Sequence, residues 1–131
     1  MRYLIDTDIT SYYLRGRYDL LSIFEQKGLQ NIRMSRVTVA ELEVVGHKNP
    51  SSKLNMSSVS LLAQKLGILE VDVEAWRVYS LLKSETLIAG KPRGDIDILQ
   101  AATAKRYGLI MITNNISHFQ GLIATENWIH N

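Results

Sequence analysis

Tyr3-Leu4-Ile5-Asp6-Thr7-Asp8-Ile9-Thr10 begins as a short apolar run and breaks on a carboxylate. Three consecutive apolar residues bounded by polar ones read as a buried strand, and Asp6 stands where that strand hands over to a helix. Two further acids occupy comparable places: Glu41 follows Val37-Thr38-Val39-Ala40, and Asp97 lies within Gly94-Asp95-Ile96-Asp97-Ile98-Leu99. Working outward, strand signals at 32–35, 68–71 and 109–112 are separated by helical stretches at 11–14, 20–26, 38–45, 54–66, 73–87 and 96–107. Strands separated by helices need crossover connections, and these make a parallel sheet covered on both faces. The predicted architecture is α/β: a three-layer α/β/α sandwich around a central, mostly parallel sheet of four to five strands, with the tail near 122–129 adding a short edge strand. Ligands of such sheets bind outside the carboxyl ends of the strands. Asp6, Glu41 and Asp97 are therefore expected at one edge.

Composition narrows the classes. The 131 residues, 46% hydrophobic and 21% charged, suit one globular domain, 1–131, that buries about two thirds of its unfolded surface. Fifteen Lys and Arg against thirteen Asp and Glu give +2, a balance that permits a nucleic-acid partner without requiring one. If three acids share one pocket, the remaining surface is more basic than the total. With no cysteine in the chain, disulfides, thiolate metal sites and thiol nucleophiles are excluded. Charges at Arg2, Asp6 and Asp8 interrupt any signal-like apolar run, and no stretch approaches the ~20 residues of a membrane span. The expectation is a cytoplasmic protein without a membrane partner.

Gathered carboxylates repel one another, and oxygen-rich sites suit hard divalent cations such as Mg²⁺. Each acid also has a purely structural reading. Asp8 suits the N-cap of the first helix and Asp95 that of the helix after Lys91-Pro92-Arg93-Gly94. Thr38 and Glu41 have capping-box spacing. A carboxylate directly at the end of a buried strand is harder to dismiss, because it needs a charge partner or solvent, so Asp6 is read as a ligand; a cap accounts for one of Asp95 and Asp97 but less well for both, which leaves Asp97 as a ligand, and the repeated pattern tips Glu41 the same way. Lys91 and Arg93, beside the Asp97 turn, are candidates for meeting RNA phosphates.

Competing chemistries fit less well. The Asp6-Thr7-Asp8-Ile9-Thr10 run resembles the nucleophile motif of haloacid dehalogenase-like phosphatases, but those need a downstream Lys and none follows Arg106. His47, His118 and His130 fall in a turn, a polar loop and the C-terminus, each read as exposed, so a metal-independent acid–base pair is not expected. No Gly-rich phosphate loop is present.

Leu4-Ile5-Asp6-Thr7-Asp8, then Ser35-Arg36-Val37-Thr38-Val39-Ala40-Glu41-Leu42, then Gly94 with Asp97 leading into Ala101-Ala102, then Ile112-Thr113-Asn114-Asn115 with His118-Phe119 and a closing Glu126-Asn127-Trp128 together resemble a PIN-domain ribonuclease of the VapC toxin type. The resemblance spans nearly the whole chain. It implies a Mg²⁺- or Mn²⁺-dependent endoribonuclease, leaving 3′-hydroxyl and 5′-phosphate ends, paired with a small antitoxin protein and forming a homodimer. It assigns metal binding to Asp6, Glu41 and Asp97 and a fourth, more variable position to Asn115, with Asp8, Asp95 and Thr113 as accessory candidates. Three departures stand out: Asp8 where these toxins commonly carry Asn, Gln100 in place of Ile before Ala101-Ala102, and Val44-Val45-Gly46 where an aromatic-Gly pair is frequent. Asn115 can offer an amide oxygen but no charge, so a non-catalytic RNA-binding or scaffolding protein is the alternative.

Overall fold

In the computed structural model, which describes residues 1–130, every strand is short and every pairing is parallel. β1 (Tyr3–Ile5) lies between β2 (Ile32–Ser35) and β4 (Ile110–Ile112), with β3 (Ile68–Leu69) outside β2 and β5 (Thr125–Glu126) outside β4. The sheet order is β3-β2-β1-β4-β5. Helices make the crossovers: α1 (Thr7–Leu14), α2 (Leu20–Lys27), α3 (Arg36–Lys48), α4 (Met56–Leu66), α5 (Val73–Ile88) and α6 (Asp95–Arg106). No helix among the described residues is long and apolar enough to cross a membrane.

The alternation of β-strand side chains divides the core. From β1, Tyr3 and Ile5 face Ile9, Phe24, Met34 and Leu62 beneath α1 to α4. Leu4 faces the other way, with Met111, against Leu82, Ile98, Ala101 and Ala102 of α5 and α6. Those are the three layers. The sheet's own ladder is too small to hold the fold, whereas each fully buried Leu, Ile or Phe side chain contributes roughly 1.5–3 kcal/mol. Trp128 closes the first layer, its ring edge-on to Tyr3 at 4.9 Å and to Phe24 at 5.8 Å.

Helix starts differ from the sequence expectation in an informative way. α1 begins at Thr7, and its N-cap is Asp6, not Asp8. α3 begins at Arg36, where the Ser35 hydroxyl accepts the Thr38 N–H at 3.1 Å; this puts Thr38 and Glu41 inside the helix and removes the Thr38 capping box. α6 starts at Asp95 after Gly94, with no side-chain cap. Asp72 does cap α5, accepting the Ala75 N–H at 2.9 Å. β3 stops two residues early, since Glu70 turns out to bind Arg36.

The chain runs outward from β1 to β2 and β3, then returns on the other side of β1 as β4. The order reverses between β1 and β4, and the crevice at their carboxyl ends is the place a ligand site is expected.

Candidate active site

Asp6 is the first residue beyond β1. Its N–H donates to the Ile112 carbonyl at 3.0 Å, which ties it to the β4 end. Its carboxylate Oδ1 accepts the Ile9 N–H at 2.8 Å, and its carbonyl accepts the Thr10 hydroxyl at 2.7 Å. With 6% of its surface exposed, it is a carboxylate fixed in place and largely removed from water. Burial pushes its pKa from the ordinary 3.8 up to about 6. The Thr113 hydroxyl and the Ile9 N–H restrain that rise, while the charges of Asp8 and Asp97 add to it.

A cleft of about 190 Å³ opens in front of Asp6. Thr7 and Asp8 enter it from the first turn of α1, Glu41 from α3, and Asp97 and Gln100 from α6; Asn115, His118 and Phe119 enter from the segment after β4. The acids expected at one edge do line one cleft. Asp97 is also raised, mainly by burial; His118 pulls it down, Asp8 pushes it up and Arg93 pulls it down again. Among the described residues no Lys or Arg lines this cleft, although four carboxylates do.

The donor set is all oxygen except for His118 and the two amides, which is the chemistry of a hard divalent cation. A carboxylate whose pKa is raised chiefly by burial, and further by the neighbouring acids Asp8 and Asp97, fits such an ion. The side chains nevertheless stand apart as placed: among the described residues no three His, Asp or Glu groups are close enough to hold one ion jointly. Glu41 Oε1 is engaged by the Thr7 hydroxyl, and Asp97 Oδ2 lies 3.3 Å from His118 Nδ1.

The model of the PIN domain matches residues 3–120 of this chain. The chain belongs to the PIN-domain family. Ribonuclease VapC2 of Haemophilus influenzae is 33% identical over 132 residues, covering 98% of this chain and 99% of the relative. The tRNA(fMet)-specific endonuclease VapC of Shigella flexneri is 26% identical over 98% of both chains. Among solved structures, VapBC2 from Rickettsia felis, bound to a DNA fragment from its promoter, superposes with a TM-score of 0.82 at 26% identity, covering 98% of this chain and 99% of the other.

Within this PIN domain the remaining sequence candidates fall into different roles. Asn115 lines the cleft; its side-chain oxygen accepts the Ser117 hydroxyl at 3.1 Å, and its N–H donates to Thr113 Oγ1 at 2.9 Å. Asp95 points elsewhere, bound to Lys83 Nζ at 2.7 Å and to the Tyr79 hydroxyl at 2.8 Å, so it clamps α6 to α5 and is not a helix cap. Arg93 donates to the carbonyls of Ser117, His118 and Gln120 at 3.3, 2.7 and 2.6 Å. It straps down the loop that carries His118, which occupies the guanidinium expected to meet phosphate. Lys91 is exposed. Four lining residues are not among the sequence candidates: Thr7, Phe119, His118, read as a loop residue, and Gln100, read only as a departure. Gln100 is 2% exposed and hydrogen-bonded throughout; a long amide inside an otherwise Ala-rich helix face was the available signal.

Proposed function

We propose that this PIN domain is an endoribonuclease that hydrolyses RNA phosphodiester bonds with Mg²⁺ or Mn²⁺, acting in the cytoplasm as the toxin of a toxin–antitoxin pair. One observation carries the reading: four carboxylates line the cleft without a lining Lys or Arg, and burial drives Asp6 up to about 6. Such a cleft repels a polyanion until divalent cations reverse its charge. The ribonuclease names of the relatives and the VapBC assembly among the structures support the substrate class and the partner. RNA, a small antitoxin protein and a second copy of this chain complete the set of proposed partners.

Asp6, Glu41 and Asp97 would hold the cation, with Asp8 adding charge at the rim. When bound, the ion supplies Lewis acidity at the scissile phosphate and lowers the pKa of a coordinated water. The chain's own contributions are positional. Asp6 is held by the Ile9 N–H, the Thr113 hydroxyl and its place in the β1–β4 corner, so its carboxylate has a fixed direction. Phe119, buried at the cleft wall, limits water on one side. Asn115 offers an amide at the opening, suited to orienting a water or a phosphate oxygen without adding charge.

The test is incubation of pure protein with total RNA in Mg²⁺, in Mn²⁺ and in chelator, with Asp6→Asn alongside. Cleavage confined to the divalent-ion arms and lost in Asp6→Asn is the expected result. Cleavage that persists in chelator would exclude metal dependence; RNA binding without cleavage in any arm would favour the non-catalytic reading.

A further inference from the structure

At the wall of the cleft, five side chains from four elements form one line of hydrogen bonds, buried at Ser35, Gln100 and Thr38 and half-buried at Thr7 and Glu41. Ser35, at the end of β2, bonds Gln100 of α6 at 2.6 Å. Gln100 Nε2 reaches Thr38 Oγ1 of α3 at 2.6 Å and Thr7 Oγ1 of α1 at 3.4 Å. The hydroxyls of Thr38 and Thr7 are 3.2 Å apart, and Thr7 bonds Glu41 Oε1. No buried side-chain polar atom among the described residues is left without a partner.

The direction of every bond follows from valence. A carboxylate only accepts, so Thr7 donates its single proton to Glu41. The Thr7–Thr38 bond must then be donated by Thr38, whose oxygen in turn receives the Gln100 amide N–H. Ser35 already accepts the Thr38 N–H, so its own proton goes to Gln100 Oε1. Flipping the amide fails: Thr38 would have to donate to Gln100, leaving the Thr7–Thr38 contact without a proton. The set therefore runs head to tail from Ser35 through Gln100, Thr38 and Thr7 to Glu41, and such chains polarise cooperatively in a buried setting. Gln100 is the one member that accepts on one side and donates on the other through two different atoms, so it joins the Ser35 end of the line to the Thr38–Thr7–Glu41 end.

We propose that Gln100 is a positioning residue for Glu41, holding its carboxylate in one orientation at the cleft through Thr38 and Thr7. The role rests on the reading of this cleft as a divalent-cation site. Groups behind a metal ligand typically change metal affinity 10- to 100-fold when removed. Gln100→Leu keeps the volume and removes both polar atoms; Thr7→Val removes only the terminal hydroxyl.

Titration of the full-length protein with Mn²⁺ alone, by calorimetry and by the electron paramagnetic resonance signal of free Mn²⁺, tests this beside melting temperatures. Gln100→Leu should weaken Mn²⁺ binding about tenfold and melt lower than the wild type, because the buried Ser35 hydroxyl loses its acceptor. Thr7→Val should lose about as much, Thr7→Ser should recover most of it, and the double variant Thr7→Val/Gln100→Leu should be no worse than either single one, because both cut the same line. In RNA cleavage the loss should fall on kcat and leave KM unchanged. Wild-type affinity in a folded Gln100→Leu, or losses that multiply in the double variant, overturns the role of Gln100 and leaves the cation site standing. If Gln100→Leu does not fold, wild-type affinity in Thr7→Val overturns it. Absence of Mn²⁺ binding by the wild type overturns both readings together.

Discussion

Two sets of acids at helix starts answer opposite needs in this molecule. Asp72 caps α5 just as Asp6 caps α1, each accepting an N–H three residues on. Asp72 also meets Arg106, and that bond, with the Ala75 N–H, holds its pKa below the ordinary range. Asp95 is likewise held down by Lys83 and then Tyr79. On the cleft side Asp6 has the same backbone device without a Lys or Arg partner and burial raises it to about 6, and Asp97, two residues after Asp95, is raised by burial even though His118 and Arg93 pull it down. Identical capping chemistry thus stands in opposite electrostatic settings. The difference teaches that the α5–α6 acids are complete within the fold and the cleft acids are not.

The largest effect expected from this contrast separates Asp97 from Asp95. Asp97→Asn should lower RNA cleavage roughly 10³-fold, the size of a lost contribution of several kcal/mol to transition-state stabilisation. Asp95→Asn should leave the rate within about twofold, since exposed ion pairs contribute little. Initial rates on one RNA substrate in saturating Mg²⁺ measure both, and equal losses would erase the distinction between the two sets.

Stability sharpens it further. A carboxyl whose pKa is 3.8 unfolded and about 6 folded binds its proton more tightly in the folded state. Its contribution is fully present below pH 4 and is lost as the pH rises through 6, amounting to roughly 3 kcal/mol by pH 7.5. Asp6→Asn keeps the cap acceptor and removes the charge. In metal-free protein it should therefore melt higher than the wild type at pH 7.5 and at the same temperature near pH 4. Added Mg²⁺ should close the gap by stabilising only the wild type; a variant that melts lower at pH 7.5 would show that Asp6 already has its counter-charge.

Smaller changes are expected at Asn115. Replacement by Asp adds a charge at the cleft opening and should tighten Mg²⁺ binding modestly, while Asn115→Ala should reduce kcat by about tenfold without abolishing it. The smallest effect belongs to the paired side: Asp95→Asn should lower the melting temperature slightly, by loosening α6 from α5, with no change in Mn²⁺ affinity.

What was legible in the sequence is what short-range physics decides. β1, β2 and the Asp72 cap depend on residues within a turn of one another, and they were read correctly. Asp6 and Glu41 could be brought to one edge because both follow strands of a parallel sheet, whereas the handover expected at Asp97 is absent: α6 follows α5 directly, and the packing of α6 brings Asp97 to the cleft. The caps at Ser35 and Asp6 were misplaced by a few residues, since Ser-Arg-Val-Thr and Asp-Thr-Asp each offer two capping candidates and burial chooses between them. Arg93 read as a free cation because its three carbonyl partners lie 24 to 27 positions away. Gln100 was invisible as a site residue for the same reason: its bond to Thr7 spans 93 positions, and only the packing of α6 against α1 and α3 brings them together.

The cleft acids are incomplete until a divalent cation arrives, and the carboxyl carbon of Asp6 reports this most directly. A ¹³C NMR titration of metal-free protein, repeated in saturating Mg²⁺, should give Asp6 a pKa near 6 without the ion and well below it with the ion. A value near 4 that does not move when Mg²⁺ is added would contradict the claim that this cleft is built for a cation.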